Sequence, residues 1–172
     1  GLFETWSQEL LPSPLSDHFA AITISSLESI SQDSLWAAAT DGLYQIEDGT
    51  LTRWSVDKHQ TAASHICDTG STVLVSYGSA LYELDPAAGT SILVDIELEA
   101  IHGMAHGDNG VAYLATDVGL VVRDDAGNYQ QYTLSDSNEP KAVHAVSYDS
   151  VMGVLAATQN GLVGLDPNGV PT

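Results

Sequence analysis

Glycine-led turns recurring about every 40 residues, with only short strand-like stretches between them, predict an all-β chain folded as a β-propeller, one four-stranded blade per period. Gly49–Thr52, Gly89–Ile92, Gly127–Gln130 and Gly169–Thr172 each follow a turn and begin a strand, and Gly1–Glu4 opens the chain in the same phase. About four blades are expected in a single domain of residues 1–172, with a closing strand at 1–8 and blades at 20–56, 62–96, 100–134 and 142–166.

Each period has the same internal order. Leu2–Gln8 (LFETWSQ) matches a fourth strand, with Trp6 in phase with Trp54 and Tyr132. In the first full period an inner strand lies near Thr23–Ser26, a second at Leu35–Thr40, a third begins at Gly42-Leu43-Tyr44 and a fourth runs over Thr50–Val56. The second period offers Ser64–Cys67, Val73–Tyr77, Ala80-Leu81-Tyr82 and Thr90–Ile96. In the third, Val111–Thr116, Gly119-Leu120-Val121 and Asn128–Leu134 hold the last three positions. Ala142–Ser147, Val154–Thr158 and Leu162–Leu165 supply three strands of the fourth, separated by turns at Tyr148–Gly153 and Gln159-Asn160-Gly161. Asp48-Gly49, Asp85–Gly89, Asp124–Gly127 and Asp166–Gly169 join third strands to fourth, using residues that bend and cap turns. None of these turns has the alternating ligands of a calcium-binding loop.

The two ends are complementary in phase: the chain enters at a fourth strand and leaves after a third. Leu2–Gln8 is therefore expected either to pair with Leu162–Leu165 and close a four-bladed ring, or to be one strand in a piece of a larger propeller.

The 172 residues carry 23 acidic and 4 basic side chains, a net charge of −19. Such a surface repels phosphate backbones and anionic lipid, so nucleic acid is excluded as a partner, and another protein or a small neutral or cationic ligand is expected. The charge also keeps strand edges apart in solution. No stretch approaches the ~20 apolar residues of a membrane span, so direct membrane insertion is not expected. Cys67, the single cysteine, sits in an apolar strand and reads as a small buried hydrophobe.

Residues 142–166 (AVHAVSYDSVMGVLAATQNGLVGLD) carry Val143, Asp149, Thr158 and Gly161-Leu162, and LWAAATDGLY carries Trp36, Thr40, Gly42, Leu43 and Tyr44. This pattern resembles the two-component-regulator propeller repeat of bacterial ligand-binding sensor domains. It departs from that repeat where Val154 and Ala112 replace its Trp and Tyr77 its Thr. The resemblance implies a non-enzymatic binding, sensor or protein-interaction module, periplasmic or extracellular.

Histidines recur on three successive inner strands, His65 in SHIC, His102 in IHGM and His144 in VHAV. Imidazoles from neighbouring blades are suited to zinc, copper or nickel. The competing expectation is that each ring points into a gap between blades and hydrogen-bonds there, because strand side chains face the blade surfaces. A divalent metal is thus the one cofactor considered; otherwise none is expected. Asp95, Glu97 and Glu99 alternate with Ile96 and Leu98, which puts three carboxylates on one face of an extended segment, suited to a cation or basic partner or simply to solvent. The connection Glu9–Phe19 contains Leu11, Pro12, Pro14, His18 and Phe19 and is the expected docking loop, either for a bound segment or for permanent assembly on a larger complex. No catalytic motif is present. The enzyme class kept open is a metal-dependent propeller lyase, since ALYELDPAAGT (80–90) resembles a repeat of the streptogramin-inactivating lyases.

Overall fold

The computed structural model describes residues 3–4, 11–12, 21–31, 34–56, 62–134 and 142–166. The described strands form antiparallel sheets in which consecutive strands are neighbours. A two-stranded pair, β1 (Phe3–Glu4) with β2 (Leu11–Pro12), stands apart from the blades. Blade 1 is β3 (Ile24–Ser31), β4 (Ser34–Ala39), β5 (Gly42–Glu47) and β6 (Thr50–Trp54); blade 2 is β7 (Ile66–Asp68), β8 (Val73–Tyr77), β9 (Ala80–Asp85) and β10 (Thr90–Leu93). Blade 3 is β11 (Ile101–His106), β12 (Ala112–Thr116), β13 (Gly119–Arg123) and β14 (Tyr129–Tyr132), with a single 3-10 turn at Asp108–Gly110. Blade 4 has three described strands, β15 (Val143–Asp149), β16 (Gly153–Thr158) and β17 (Gly161–Leu165). The all-β propeller architecture predicted from the 40-residue recurrence is the one observed.

Period-2 alternation explains how the blades stack. In blade 1, Trp36, Ala38 and Leu43 share a core with Ile66, Val73, Val75, Tyr77, Tyr82 and Leu84 of blade 2. The other face of blade 2, through Cys67, Leu74 and Leu81, meets Ile101, Ala112, Leu114 and Val121 of blade 3. Tyr113, Ala115, Leu120 and Val122 then meet Val143, Val154, Ala156 and Leu165 of blade 4. Successive residues of one strand thus serve two different interfaces, and both faces of each middle strand must be apolar. The tight β12–β13 turn needs glycine at position 119, where φ is +123° and a Cβ would run into the carbonyl oxygen of Tyr132.

Of the two arrangements expected, a closed four-bladed ring and a piece of a larger propeller, the structure agrees with the second. Phe3–Glu4 pairs with Leu11–Pro12, not with Leu162–Leu165, and β17 is the last strand of its sheet among the described residues. Among the described residues the sheets do not close into a ring and form a partial propeller of four blades. The physical reason lies in proximity: a short hairpin closes a far smaller loop than pairing with a strand some 150 residues away. Leu11–Pro12, expected in a loop, is the second strand of that hairpin, while Pro14, His18 and Phe19 lie outside the described residues.

A row of bulged residues on the innermost strands

The innermost strands share an irregularity that periodicity alone does not show. In β11, Ile101 pairs with Thr116 and Gly103 with Ala115, so His102 is an extra residue. In β15, Val143 pairs with Thr158 and Ala145 with Ala157, leaving His144 in the same position. Ser25 is the equivalent residue of β3, between Ile24 and Ser26. In blade 2 the backbone of Ser64 donates to the Ser76 carbonyl while Ser76 N–H donates to the His65 carbonyl, which carries the pairing just beyond the N-terminal end of β7. A bulge sets its residue off the in-out alternation and re-aims the side chain. His102 and His144 are accordingly exposed, and neither belongs to an inter-blade core.

Their geometry is specific. The rings of His102 and His144 lie 5.8 Å apart, tilted by 57°. His102 Nε2 is 2.6 Å from Asp117 Oδ1, a carboxylate on the β12–β13 turn of the same blade. His65 is half-buried, with Nδ1 3.3 Å from Ser76 Oγ, and the Ser76 hydroxyl also accepts the His65 amide at 3.0 Å. Burial holds the His65 imidazole below its usual basicity, and His102 nearby adds to that effect. Ser25 Oγ donates to the Ala63 carbonyl at 2.8 Å, tying blade 1 to blade 2 at the same level. The structure therefore brings His65, His102 and His144 into one neighbourhood and adds Ser25, Ser76 and Asp117, which sequence reasoning had not singled out. His65 also has a hydrogen bond to the His102 backbone of the next blade. His106 makes another bond across a blade interface, its Nδ1–H donating to the Asp68 carbonyl at 2.8 Å.

At the opposite end of the inner strands His106 has charged company. Glu28 of β3 lies within electrostatic reach of both Asp68 and His106, and burial raises the basicity of its carboxylate. Beside it, Cys67 is buried, its thiol pushed up to about 12, again chiefly by burial. Tyr148 of blade 4 donates to Asp108 Oδ2 at 2.5 Å and stacks on Tyr113, which joins blades 3 and 4. Among the described residues no group of three or more His, Cys, Asp or Glu is placed to hold a metal ion.

Asp95, Glu97 and Glu99 are exposed, while Val94, Ile96 and Leu98 pack against the blade 2–blade 3 core. The segment that carries them follows β10 and is not part of a sheet, so it is an extended connection rather than the outer strand expected.

No protein-family model matches the chain, and no curated protein matches it. Solved structures do. The extracellular domain of the one-component system BT4673 from B. thetaiotaomicron is 16% identical with a TM-score of 0.70, covering 87% of this chain and 22% of that one. The extracellular domain of the hybrid two-component system BT3049 from B. thetaiotaomicron is 19% identical with a TM-score of 0.64, covering 87% and 22%. A catalytically inactive histidine-to-alanine variant of virginiamycin B lyase from Staphylococcus aureus, with quinupristin, is 13% identical with a TM-score of 0.72, covering 88% and 55%. The chain thus spans about a fifth of the sensor-system chains it matches and about half of the lyase, and at these identities the likeness is one of fold.

Proposed function

We propose that this chain is the binding part of an extracytoplasmic sensor or interaction propeller, without catalytic activity of its own, and that its ligand contacts His65 and the bulged His102 and His144. One observation carries the reading: two exposed imidazoles from adjacent blades stand 5.8 Å apart, one of them held by Asp117, in a position the bulges take out of the packing pattern. A residue needed only for packing has no reason to be bulged and exposed in two blades at the same register. The fold likeness to extracellular domains of one- and two-component systems supports the sensor setting, and the absence, among the described residues, of a helix long and apolar enough to cross a membrane accords with it. With a net charge of −19 the chain suits a neutral or cationic ligand, or a basic protein surface.

The test is a thermal-shift screen of the protein against neutral and cationic small molecules and basic peptides, repeated with His144→Ala and Asp117→Asn. A ligand that raises Tm in the wild type and loses most of that shift in both variants supports the reading. Shifts unaltered in both variants sink it. Incubation with quinupristin is expected to leave the antibiotic intact; turnover would establish the lyase alternative in its place.

A further inference from the structure

The outer strands of blades 1, 2 and 3 can be matched residue by residue, because each pairs with its third strand in the same register. Thr52 pairs with Gln45, Ile92 with Glu83 and Gln130 with Val122; one residue on, Arg53 pairs with Tyr44, Leu93 with Tyr82 and Gln131 with Val121. Blades 1 and 3 thus place polar residues at both positions, which suits an edge strand that faces water. Blade 2 places Ile92 and Leu93 there, 63% and 60% exposed. Leu93 also forgoes a bond that both sibling blades make. Arg53 Nη2 donates to the Asp41 carbonyl and Gln131 Nε2 to the Val118 carbonyl, each on the turn that leads into its own third strand. Apolar residues exposed singly are ordinary, but two in succession on an edge, where the equivalent residues are polar, mark a contact surface.

The backbone beside them is open. Val94 N–H donates to the Leu81 carbonyl, so in the alternation of an antiparallel ladder the N–H and C=O groups of Ser91 and Leu93 point away from β9. β10 is the outermost strand of a complete four-stranded sheet, inside the stretch 62–134 that is described without a gap. Directly after it, Val94, Ile96 and Leu98 pack on the blade 2–blade 3 core and hold Asp95, Glu97 and Glu99 outward at every second residue. Arg53 and Arg123 are committed elsewhere, to the Asp41 carbonyl and to Glu83, and among the described residues no cation pairs with these three carboxylates. An exposed apolar pair therefore leads into a row of unneutralised carboxylates spaced about 6.5 Å apart, the repeat of alternate side chains on an extended backbone.

We infer that the outer edge of blade 2, from Thr90 to Glu99, docks an extended segment of a partner protein that sets apolar residues against Ile92 and Leu93 and Lys or Arg, at every second position, against Asp95, Glu97 and Glu99. Main-chain pairing at Ser91 and Leu93 supplies affinity, and the apolar pair and the acidic row supply selectivity. A second copy of this chain is the less suited occupant, since it would bring another strongly negative surface to an acidic row. The strip is on an outermost strand whereas His102 and His144 are on innermost ones, so it does not depend on the function proposed for the histidines.

The experiment titrates the protein into a fluorescein-labelled peptide of alternating lysine and valine at physiological salt and reads fluorescence anisotropy. Saturable binding is expected. It should be at least tenfold weaker for the double substitution Ile92→Thr with Leu93→Gln, which copies Thr52 and Gln131 onto blade 2 and leaves the net charge unchanged. Asp95→Asn with Glu97→Gln should weaken it at least tenfold as well, and so should glycine in place of the peptide's valines. All four protein positions are exposed, and an unaltered Tm checks that the fold is kept. The proposal is overturned by no binding, or by wild-type affinity in Ile92→Thr with Leu93→Gln, which would show that charge alone attracts the peptide. Sedimentation showing a dimer that the same double substitution disperses would overturn it in favour of a second copy.

Discussion

Removing the Glu83 carboxylate should unfold this protein more readily than any surface change. Arg123, at the end of β13, is 7% exposed, and its Nη2 lies 2.5 Å from Glu83 Oε1 in the neighbouring blade. The side chains of the pair are 8% and 15% exposed, so solvent screens them little. Glu83 also accepts the Thr72 hydroxyl at 2.7 Å, while Arg123 Nη1 donates to the Gly110 and Asp124 carbonyls. Glu83→Ala leaves a buried guanidinium with carbonyl partners only, and deleting one member of a buried pair costs about 3–5 kcal/mol. In a chain of this length each kcal/mol moves Tm by about 2–4 °C, so a fall of roughly 6–20 °C is expected. Replacing both members, Glu83→Leu with Arg123→Met, should recover most of that loss, because a well-packed apolar pair needs no compensating charge. Urea unfolding followed by tryptophan fluorescence measures Glu83→Ala, the double variant and its two single substitutions. A cost below about 1 kcal/mol for Glu83→Ala, the range of an exposed pair, would refute the reasoning, and so would a double variant as unstable as the sum of its singles.

Glu28→Gln should stabilise the protein at pH 7 and change little near pH 4. The folded-state carboxyl is raised by burial, so its favourable contribution is complete below the ordinary value of 4.5 and is lost as pH rises through the folded value. For His65 the sign is opposite in origin: its folded value is lowered, so the unfolded state binds the proton first and stability falls as pH drops below 6.5, a slope that His65→Gln should flatten. Ser76→Ala, at a fully buried hydroxyl, should cost about 1–3 kcal/mol by leaving the His65 amide without its acceptor. Cys67 should resist a thiol reagent such as DTNB in the native state and react at once in 6 M guanidinium; prompt native reaction would contradict its burial.

Much of the fold was legible because a propeller repeats its physics. Leu43, Leu81 and Leu120 recur after their turn residues and are all buried, and Trp54 and Tyr132, read as in phase, face Leu43 and Leu120. Gly119 shows why the turns were readable: a positive φ against a neighbouring carbonyl leaves few residue choices. The bulges were not readable. One extra residue in β11 or β15 exists only relative to the register of its partner strand, so VHAV and IHGM look like unbroken strands, and the alternation left the imidazoles open between a shared site and the gaps between blades. Closure was left open for a related reason: the phase of residues 2–8 gives the strand type but not its partner, and Phe3–Glu4 pairs with Leu11–Pro12, as the partial-propeller alternative allows. The Glu83–Arg123 pair also escaped. Its one available signal was a lone arginine at a strand end in a chain with 4 basic and 23 acidic residues.

The bulged row is tested most directly by modifying the native protein with diethyl pyrocarbonate and measuring each histidine's rate by peptide mass spectrometry. His144, exposed, should react several-fold faster than His65, which is half-buried against Ser76, and Asp117→Asn should alter the rate of His102 without changing that of His65. Equal rates at His65 and His144 in the native state, or a His102 rate unaffected by Asp117→Asn, would contradict the arrangement.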